Sequence, residues 1–236
     1  MLKPSTRHQS FSSPIVRTVL IPVFTALSLA TNYAMIDIPN VKLMDAFVFV
    51  AAFLFGLEVG IGTAISIWAV YGFINPYGQD DLTLLLFLMT GECLYAIEGV
   101  LLRRTSVARE LIVKQIQAKK VVNRPVSYTD SSRGFVVRFK GRARNLFNNA
   151  RNYGRMSLLF GLIGFQATFA YDVLTNFGSW VFKTSSLYQA FVIGMITGIP
   201  FAVLHEASNL VFFAIVVPPA IAAAKRVGLQ IQEKSS

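Results

Sequence analysis

Asp172 is the residue whose type and position most strongly indicate chemistry. It lies near the centre of residues 164–180, an apolar segment long enough to cross a bilayer. Because a carboxylate left in hydrocarbon costs at least about 2.5 kcal/mol, we expect it to face a protein interior or a water-filled cavity. On a helix, Asn176 lies one turn further along the same face, and Trp180 and Lys183 follow. This polar stripe predicts one wall of a binding pocket.

Other apolar segments also contain polar and aromatic residues at helical spacing. Glu92 and Tyr95 share one face, as do His205 and Asn209, and the turn-forming segment 75–81 adds two acids. Carboxylates suit a ligand with a positive charge or several hydrogen-bond donors, and aromatic side chains can stack on a ring. Unrelated hydrogen bonds between helices are the alternative interpretation. The candidate ligand-binding residues are Asp172, Asn176, Trp180, Glu92, Tyr95, Tyr77, Asn75, Asp80, Asp81, His205 and Asn209.

The composition indicates that membrane helices position these residues. The sequence is 54% hydrophobic and 14% charged, whereas soluble domains carry about 25% charged residues. The apolar runs predict an all-α integral membrane protein with six transmembrane helices in one bundle. The predicted spans are residues 15–35, 46–55, 61–74, 82–102, 156–182 and 187–216, of which the second is short and the last should kink at Pro200.

Loop charge predicts the orientation of this bundle. The chain has a net charge of +10 and 22 Lys and Arg residues, and positive residues favour the cytoplasmic side. With both termini cytoplasmic in the cell membrane, only Lys42 and Lys183 lie outside. The connections 37–45 and 75–81 and the Trp180 end of the fifth span then face outwards, which predicts a ligand site open to the outside.

These spans divide the chain into five regions: a cytoplasmic N-terminal tail (1–14), helices 1–4 (15–102), a basic cytoplasmic loop (103–155), helices 5 and 6 (156–217) and a short polar cytoplasmic C-terminal tail (218–236). Within the basic loop, residues 107–122 predict an amphipathic helix, 123–134 a flexible break, and 135–153 a basic stretch with interleaved aromatic residues. Binding to anionic membrane lipid, or simple topological anchoring, is the favoured interpretation of this loop. Docking on a partner subunit is the second, and we do not adopt nucleic-acid binding.

Motifs for several enzyme classes are missing from the sequence. It has no G-x-x-x-x-G-K-[ST] phosphate loop, no H-E-x-x-H and no G-x-S-x-G. His205 and Glu206 form a lone pair without a second ligand at metal spacing, and Cys93 is the single cysteine. We therefore expect no catalytic residues, metal or cofactor, and a binding protein whose energy comes from elsewhere.

Small residues form a strip on the first span. Ala26, Ala30 and Ala34 repeat every fourth residue, a spacing that allows another membrane helix to approach closely. Packing within the bundle is the alternative interpretation.

The sequence resembles the substrate-binding S components of energy-coupling factor (ECF) transporters. The resemblance rests on the six spans, on Ala26-Leu-Ser-Leu-Ala30, on Phe55-Gly-Leu-Glu-Val-Gly60 between the second and third spans, and on Asn75-Pro-Tyr-Gly78 after the third. It implies that Ala26 and Ala30 dock on a transmembrane coupling subunit and that two ATPase subunits drive transport. It also implies that a vitamin or similar small-molecule micronutrient binds in the outer half, beneath the 75–81 loop.

Three other functions stay open from the residues alone. A solitary proton-coupled carrier would use Asp172, Glu92 and His205 as a relay. An intramembrane enzyme acting on a lipid would need acids at the cytoplasmic end, where Glu98 and Glu206 could lie. A structural scaffold would need no ligand.

Overall fold

The chain is helical throughout the residues that the structure describes. The computed structural model describes residues 13–76, 78, 80–122 and 132–229. Within these ranges there is no strand. The helices in chain order are α1 Pro14–Ala34, α2 Met44–Phe55, α3 Leu57–Ile74, α4 Leu82–Arg104, α5 Ser106–Val122, α6 Ser132–Gly178, α7 Leu187–Ile215 and α8 Val217–Arg226.

Several of these helices are long and apolar enough to cross a membrane. Among the described residues there are five such segments, namely Pro14–Ala34, Leu57–Ile74, Leu82–Arg104, Ala150–Gly178 and Leu187–Arg226. Helix α2 has 12 residues, fewer than the roughly 20 that span the hydrocarbon core. The apolar helices confirm the predicted all-α fold and indicate a multi-pass membrane protein, while the count of six spans stays a prediction.

One end of the bundle carries the connections that follow α1, α3 and α6, and we call it the upper end. There the Tyr33 hydroxyl donates to the Ile74 carbonyl oxygen at 3.1 Å, which places the ends of α1 and α3 together. Lys183 Nζ pairs with Asp81 Oδ2 at 3.2 Å, which joins the residues after α6 to the start of α4. Helices α1, α3 and α6 therefore all run towards the upper end.

The opposite end, the lower end, carries the α2–α3 turn, α5 and α8. Arg103 Nη1 donates to the Phe53 carbonyl oxygen at 3.4 Å, so α4 ends beside the end of α2. Arg17, in the first turn of α1, pairs with Glu58 at the start of α3. The helices thus alternate in direction, as the sequence predicted.

Helix α2 is the centre of the bundle. It is apolar on all sides and Phe47 is its only residue that is not buried, because α1, α3, α4, α7 and α8 surround it. Phe49 makes edge contacts with Phe160 of α6 and Phe213 of α7, with ring centroids 6.0 and 5.2 Å apart. A Cβ atom on Gly99 of α4 would lie 2.6 Å from the Phe49 carbonyl oxygen, so α4 packs directly against the α2 backbone.

The basic segment is more regular than the sequence suggested. Helix α5 matches the amphipathic helix predicted for residues 107–122, and most of the predicted break lies outside the described residues. From Ser132 onwards the chain is helical and continuous with the fifth predicted span. The cytoplasmic connection predicted for residues 103–155 is therefore helical over most of its described part, and its position on the cytoplasmic side stays a prediction.

The C-terminal tail was predicted to be short and polar, and the helix in its first part was not predicted. Helix α8 begins at Val217, where Pro218 falls at a position at which proline favours a helix start. Its residues Val217, Ile221 and Ala222 are buried against the lower end. Helix α7 also passes through Pro200 without ending.

Candidate functional site

A cavity of about 370 Å³ lies at the upper end of the bundle, and we call it the upper pocket. Its size falls within the range of small-molecule sites. Residues from α1, α3, α4, α6, α7 and the α1–α2 and α3–α4 connections line it: Asn32, Met35, Ile36, Ile38, Pro39, Asn40, Val41, Lys42, Trp68, Tyr71, Asn75, Asp80, Leu84, Leu88, Tyr171, Asp172, Thr175, Asn176, Ser179 and Phe201.

The α1–α2 connection forms one side of this pocket. Asn40 has a φ of 57°, a left-handed conformation that asparagine tolerates better than most residues. After this turn, Lys42 lies over the Trp68 ring of α3, with Nζ 4.9 Å from the ring centroid. The connection therefore places a cation and an indole on one wall.

Asp172 lines the pocket and contacts a histidine. Its side chain is buried, as expected from its place in the sequence, and Oδ1 lies 2.9 Å from His205 Nδ1. The other imidazole nitrogen, Nε2, lies 2.7 Å from Asp45 Oδ2. We call Asp45, His205 and Asp172 the buried triad, and it joins α2, α7 and α6.

The hydrogen bonds of the buried triad require two shared protons. Each nitrogen–oxygen contact needs one proton between its two atoms, because two lone pairs would otherwise face each other. The two protons can both belong to the imidazole, opposite two carboxylates, or one can belong to a carboxylic acid beside a neutral imidazole. With Asp45 Oδ1 and Asp172 Oδ2 unprotonated, either distribution leaves one net negative charge, in a region where unpaired charge is strongly disfavoured.

Asn209 extends this network towards α4 and α6. Its Nδ2 donates to Asp45 Oδ2 at 2.6 Å and to Thr168 Oγ1 at 2.8 Å. The Tyr95 hydroxyl lies 3.0 Å from the same Thr168 oxygen. His205 and Asn209 share a face of α7, as their i, i+4 spacing predicted, and both point into the bundle. Four helices therefore meet at one polar cluster.

A third buried acid lies behind the indole of the pocket. Trp68 Nε1 donates to Glu92 Oε2 at 3.1 Å, and both side chains are buried. Because Trp68 lines the pocket and Glu92 does not, the indole separates Glu92 from the cavity. Glu92 therefore orients Trp68 in this structure.

Several pocket residues carry buried polar atoms that have no hydrogen-bond partner among the described residues. These atoms are Asn32 Nδ2, Asp80 Oδ2, Tyr171 OH and Asp172 Oδ2. Buried polar groups are normally hydrogen-bonded, and an unpaired one disfavours folding by about 1–3 kcal/mol. These four atoms belong to residues that line one cavity, so a polar molecule bound there could complete their hydrogen bonding.

Asp80 is the acidic group of the pocket that lies outside the helices. Partial burial raises the pKa of its carboxyl above the ordinary 3.8, and the neighbouring Asp81 acts in the same direction. The positive charge of Lys42 and a hydrogen bond with Asn75 oppose this rise in pKa. Lys42 and Asp80 therefore attract each other.

The structure divides the predicted site residues into several groups. Asp172, Asn176, Asn75 and Asp80 line the upper pocket. His205, Asn209 and Tyr95 form the network beneath it, and Glu92 lies behind Trp68. Tyr77 lies outside the described residues. Ligand binding by any of these residues stays a prediction.

Two predicted residues lie apart from the pocket. Trp180 follows the end of α6 at Gly178, so it does not continue the helical stripe of Asp172, and its Nε1 donates to Thr197 Oγ1 at 3.2 Å. Asp81 accepts a hydrogen bond from the Leu84 amide at 2.8 Å and pairs with Lys183. Neither is a lining residue.

Sequence reasoning missed important parts of the site. It assigned Asp45 to an outer connection, but Asp45 is in the first turn of α2 and fully buried. A carboxylate is favourable there because a helix N-terminus carries partial positive charge. Its position directly before an apolar run was the available signal. Lys42, Trp68, Tyr171 and Thr168 were not selected, because each also fits ordinary packing or loop chemistry.

The alanine strip of α1 faces away from the bundle. Ala26, Ala30 and Ala34 are all exposed, whereas Ser28 and Asn32 on the opposite side are buried. The strip is therefore free of intramolecular helix packing, which disfavours the alternative that it packs within the bundle. Docking of a partner on it stays a prediction.

Comparison with known proteins identifies no relative. No protein-family model, no curated protein and no solved structure matches the chain. Among the described residues, no group of three or more His, Cys, Asp or Glu side chains is arranged to hold a metal ion. The function must therefore be inferred from the pocket itself.

Proposed function

We propose that this chain is the substrate-binding membrane subunit of an ECF-type uptake transporter. It would bind a vitamin or similar micronutrient in the upper pocket and associate with a transmembrane coupling subunit and two ATPase subunits. The upper pocket, with its buried polar atoms and its place under two connections, is the observation that carries this proposal. The absence of a phosphate-binding loop from the sequence is consistent with energy supplied by partners.

The proposed orientation places the upper pocket on the outer side of the cell membrane, with α2 as the second of six spans. Lys42 and Lys183 are the Lys and Arg residues of the described upper end, whereas the lower end carries Arg103, Arg104 and the basic part of α6. The positive-inside rule then makes the lower end and both termini cytoplasmic. The basic surface of the lower end would contact anionic membrane lipid.

The exposed alanine strip supports association with a second membrane protein. Small side chains allow close helix–helix contact in lipid, where burial from water no longer drives association. In this proposal Ala26, Ala30 and Ala34 contact the coupling subunit. A reorientation of the bundle against that subunit would then carry the bound solute inwards.

The buried triad favours a second candidate function. Asp45, His205 and Asp172 form a continuous chain of proton-binding groups across three helices, with His205 at 2.7 and 2.9 Å from the two acids. Such chains serve as proton relays in membrane transporters. A solitary proton-coupled carrier would use the same pocket without ATPase subunits.

Reconstitution in liposomes separates the two candidates. Vesicles containing the chain alone, or the chain with any co-purified subunits, would receive a vitamin mixture outside and ATP inside, and accumulated solutes would be identified by mass spectrometry. The transporter proposal predicts accumulation that requires both ATP and the partner subunits. Accumulation by the chain alone, driven by a pH gradient and indifferent to ATP, would instead establish the carrier.

A further inference from the structure

We infer that the upper pocket selects a positively charged aromatic compound whose cationic group carries several N–H donors. This inference rests on the proposed role of the pocket in solute binding and names the chemical class of the solute. It assigns the cationic group to Asp172 and Tyr171 and the ring to the aromatic wall around Trp68.

The first argument is the charge beneath the pocket. With Asp45 Oδ1 and Asp172 Oδ2 unprotonated, the hydrogen bonds of Asp45, His205 and Asp172 leave one net negative charge, whichever way the two shared protons are placed. Glu92, behind Trp68, is either neutral or negative and so cannot reverse that sign. A cationic ligand would neutralise the charge, and an anionic ligand would double it.

The second argument is the chemistry of the unpaired atoms. Asp172 Oδ1 is held by His205, so Oδ2 is the carboxylate oxygen without a partner among the described residues. The neighbouring Tyr171 hydroxyl also has none, and both side chains are at least nine-tenths buried, with 5% and 3% exposed. Both oxygens accept hydrogen bonds, and they come from consecutive residues of α6. A group with two or more N–H donors would satisfy them together.

The third argument is the aromatic wall. Trp68 and Tyr71 both line the pocket, with ring centroids 5.7 Å apart, and Tyr171 lines it from the opposite helix. Flat rings are favourable partners for an aromatic ligand, and their faces attract positive charge. Lys42 already shows this preference through its position 4.9 Å above Trp68.

Lys42 raises the competing possibility that the pocket selects an anion. Its charge is attracted by Asp80 on the same wall and by the Trp68 face. Lys42 also attracts Asp45 electrostatically, so its single positive charge faces two negative charges, that of Asp80 and that of the buried triad. Asp172 therefore sets the sign of the ligand, and Lys42 closes the side of the pocket.

Three probes of nearly equal size test this inference: benzamidinium, which is cationic and rich in N–H donors, neutral benzamide, and anionic benzoate. The chain has two tryptophans, so Trp180→Phe leaves Trp68 as the only indole, and its fluorescence reports on the pocket. Titration of the detergent-purified full chain should give saturable changes with benzamidinium, at least tenfold weaker binding of benzamide, and weaker binding still of benzoate. Asp172→Asn should weaken benzamidinium binding at least tenfold, whereas Lys42→Gln should not weaken it.

Benzoate binding as tight as that of benzamidinium, or no saturable response to benzamidinium, would overturn the inference. The probe series on the chain without the Asp172 substitution decides the question even where Asp172→Asn does not fold. The transporter proposal has a separate readout, because a chain that prefers benzoate but co-purifies with ATPase subunits would lose only the inferred ligand class.

Discussion

Asp45 accepts a hydrogen bond from Asn209 at 2.6 Å, although 164 positions of sequence separate the two residues. The same carboxylate oxygen, Oδ2, is also 2.7 Å from His205 Nε2. Both partners lie on α7, one helical turn apart, so Asp45 holds the buried start of α2 against α7. The short central helix is thereby fixed in position beneath the upper pocket.

Removal of the Asp45 carboxylate should destabilise the bundle. In Asp45→Ala, His205 and Asn209 would lose their common acceptor, and the loss of one partner of a buried ion pair typically costs about 3–5 kcal/mol. Asp45→Asn retains an acceptor oxygen and should lose less. Unfolding of the purified protein in mild detergent measures both effects.

Asp37 provides the matched control, since it is an exposed aspartate of the connection that leads to α2. Asp37→Ala should change the stability by no more than about 0.5 kcal/mol. If Asp45→Ala and Asp37→Ala had the same free energy of unfolding, the proposal that Asp45 holds α2 against α7 would be wrong.

The protein should tolerate Glu92→Gln, which removes the charge, better than Glu92→Ala, which removes both carboxylate oxygen atoms. Glu92→Gln keeps a carbonyl oxygen that can accept the Trp68 N–H bond, whereas Glu92→Ala leaves that indole N–H unpaired and creates a cavity. We expect the alanine variant to be less stable than the glutamine variant by about 2 kcal/mol or more. Thermal unfolding of the two variants side by side tests this order, and equal melting temperatures would contradict it.

Close packing between α6 and α7 can be tested with two glycines. A Cβ atom on Gly194 would lie 2.4 Å from the Asn176 carbonyl oxygen, while one on Gly154 would meet no atom within 4 Å. Gly194→Ala should therefore destabilise the protein by about 1–3 kcal/mol, and Gly154→Ala should stabilise it by up to about 1 kcal/mol. Because the two substitutions should change the stability in opposite directions, each variant is the control of the other. Unfolding curves that shift in the same direction would refute the close packing of α6 against α7.

Asp81 should contribute stability that depends on pH. Its hydrogen bond from the Leu84 amide, followed by the contact with Lys183, lowers its pKa below the ordinary 3.8. A group whose pKa is lowered by folding stabilises the protein above its unfolded pKa and loses that effect as the pH falls through the folded pKa.

The corresponding variant is Asp81→Ala, which removes the N-terminal cap of α4. This substitution should reduce stability by about 1 kcal/mol at pH 7. The difference in free energy of unfolding between the variant and the unsubstituted chain should shrink as the pH falls below 3.8. The free energy of unfolding of both proteins, measured at pH 7 and below pH 3.8, gives the comparison. A difference that stayed constant down to pH 2 would exclude a role for the ionised carboxylate.

A bulky residue on the alanine strip should prevent assembly without affecting the fold. Ala26→Trp fills the exposed surface that we propose for the coupling subunit, whereas Val203→Trp adds the same side chain at an exposed position of α7. We expect ATPase subunits to co-purify with Val203→Trp and not with Ala26→Trp, while both variants keep binding in the upper pocket. Normal recovery of the subunits with Ala26→Trp would remove the strip from the interface.

Much of the helical architecture could be predicted from the sequence because hydropathy is a local property. Long apolar runs require backbone hydrogen bonds within the same segment, which only helices provide in a single span. The burial of Asp172 followed from the same principle. The start of α2 was harder to predict, because a polar residue such as Asp45 indicates a helix boundary when only hydropathy is considered. In the structure Asp45 is buried and accepts a hydrogen bond from α7.

The side-chain contacts within the site could not be predicted from the local sequence pattern. Nothing in the spacing of Trp68 and Glu92 predicts that one donates to the other, because they lie on different helices whose rotation depends on packing. The same applies to Thr168, which resembles an ordinary membrane threonine until Tyr95 and Asn209 are placed beside it. Helix α8 was missed because two prolines read as a stop, whereas proline near a helix start is favourable.

Native mass spectrometry of the chain, purified in mild detergent from its own source, tests the central claim most directly. The proposed function predicts a complex that contains this chain, a membrane coupling subunit, two ATPase subunits and a retained small molecule. A chain that carries neither partner subunits nor a small molecule, under conditions that preserve other membrane complexes from the same cells, would contradict it.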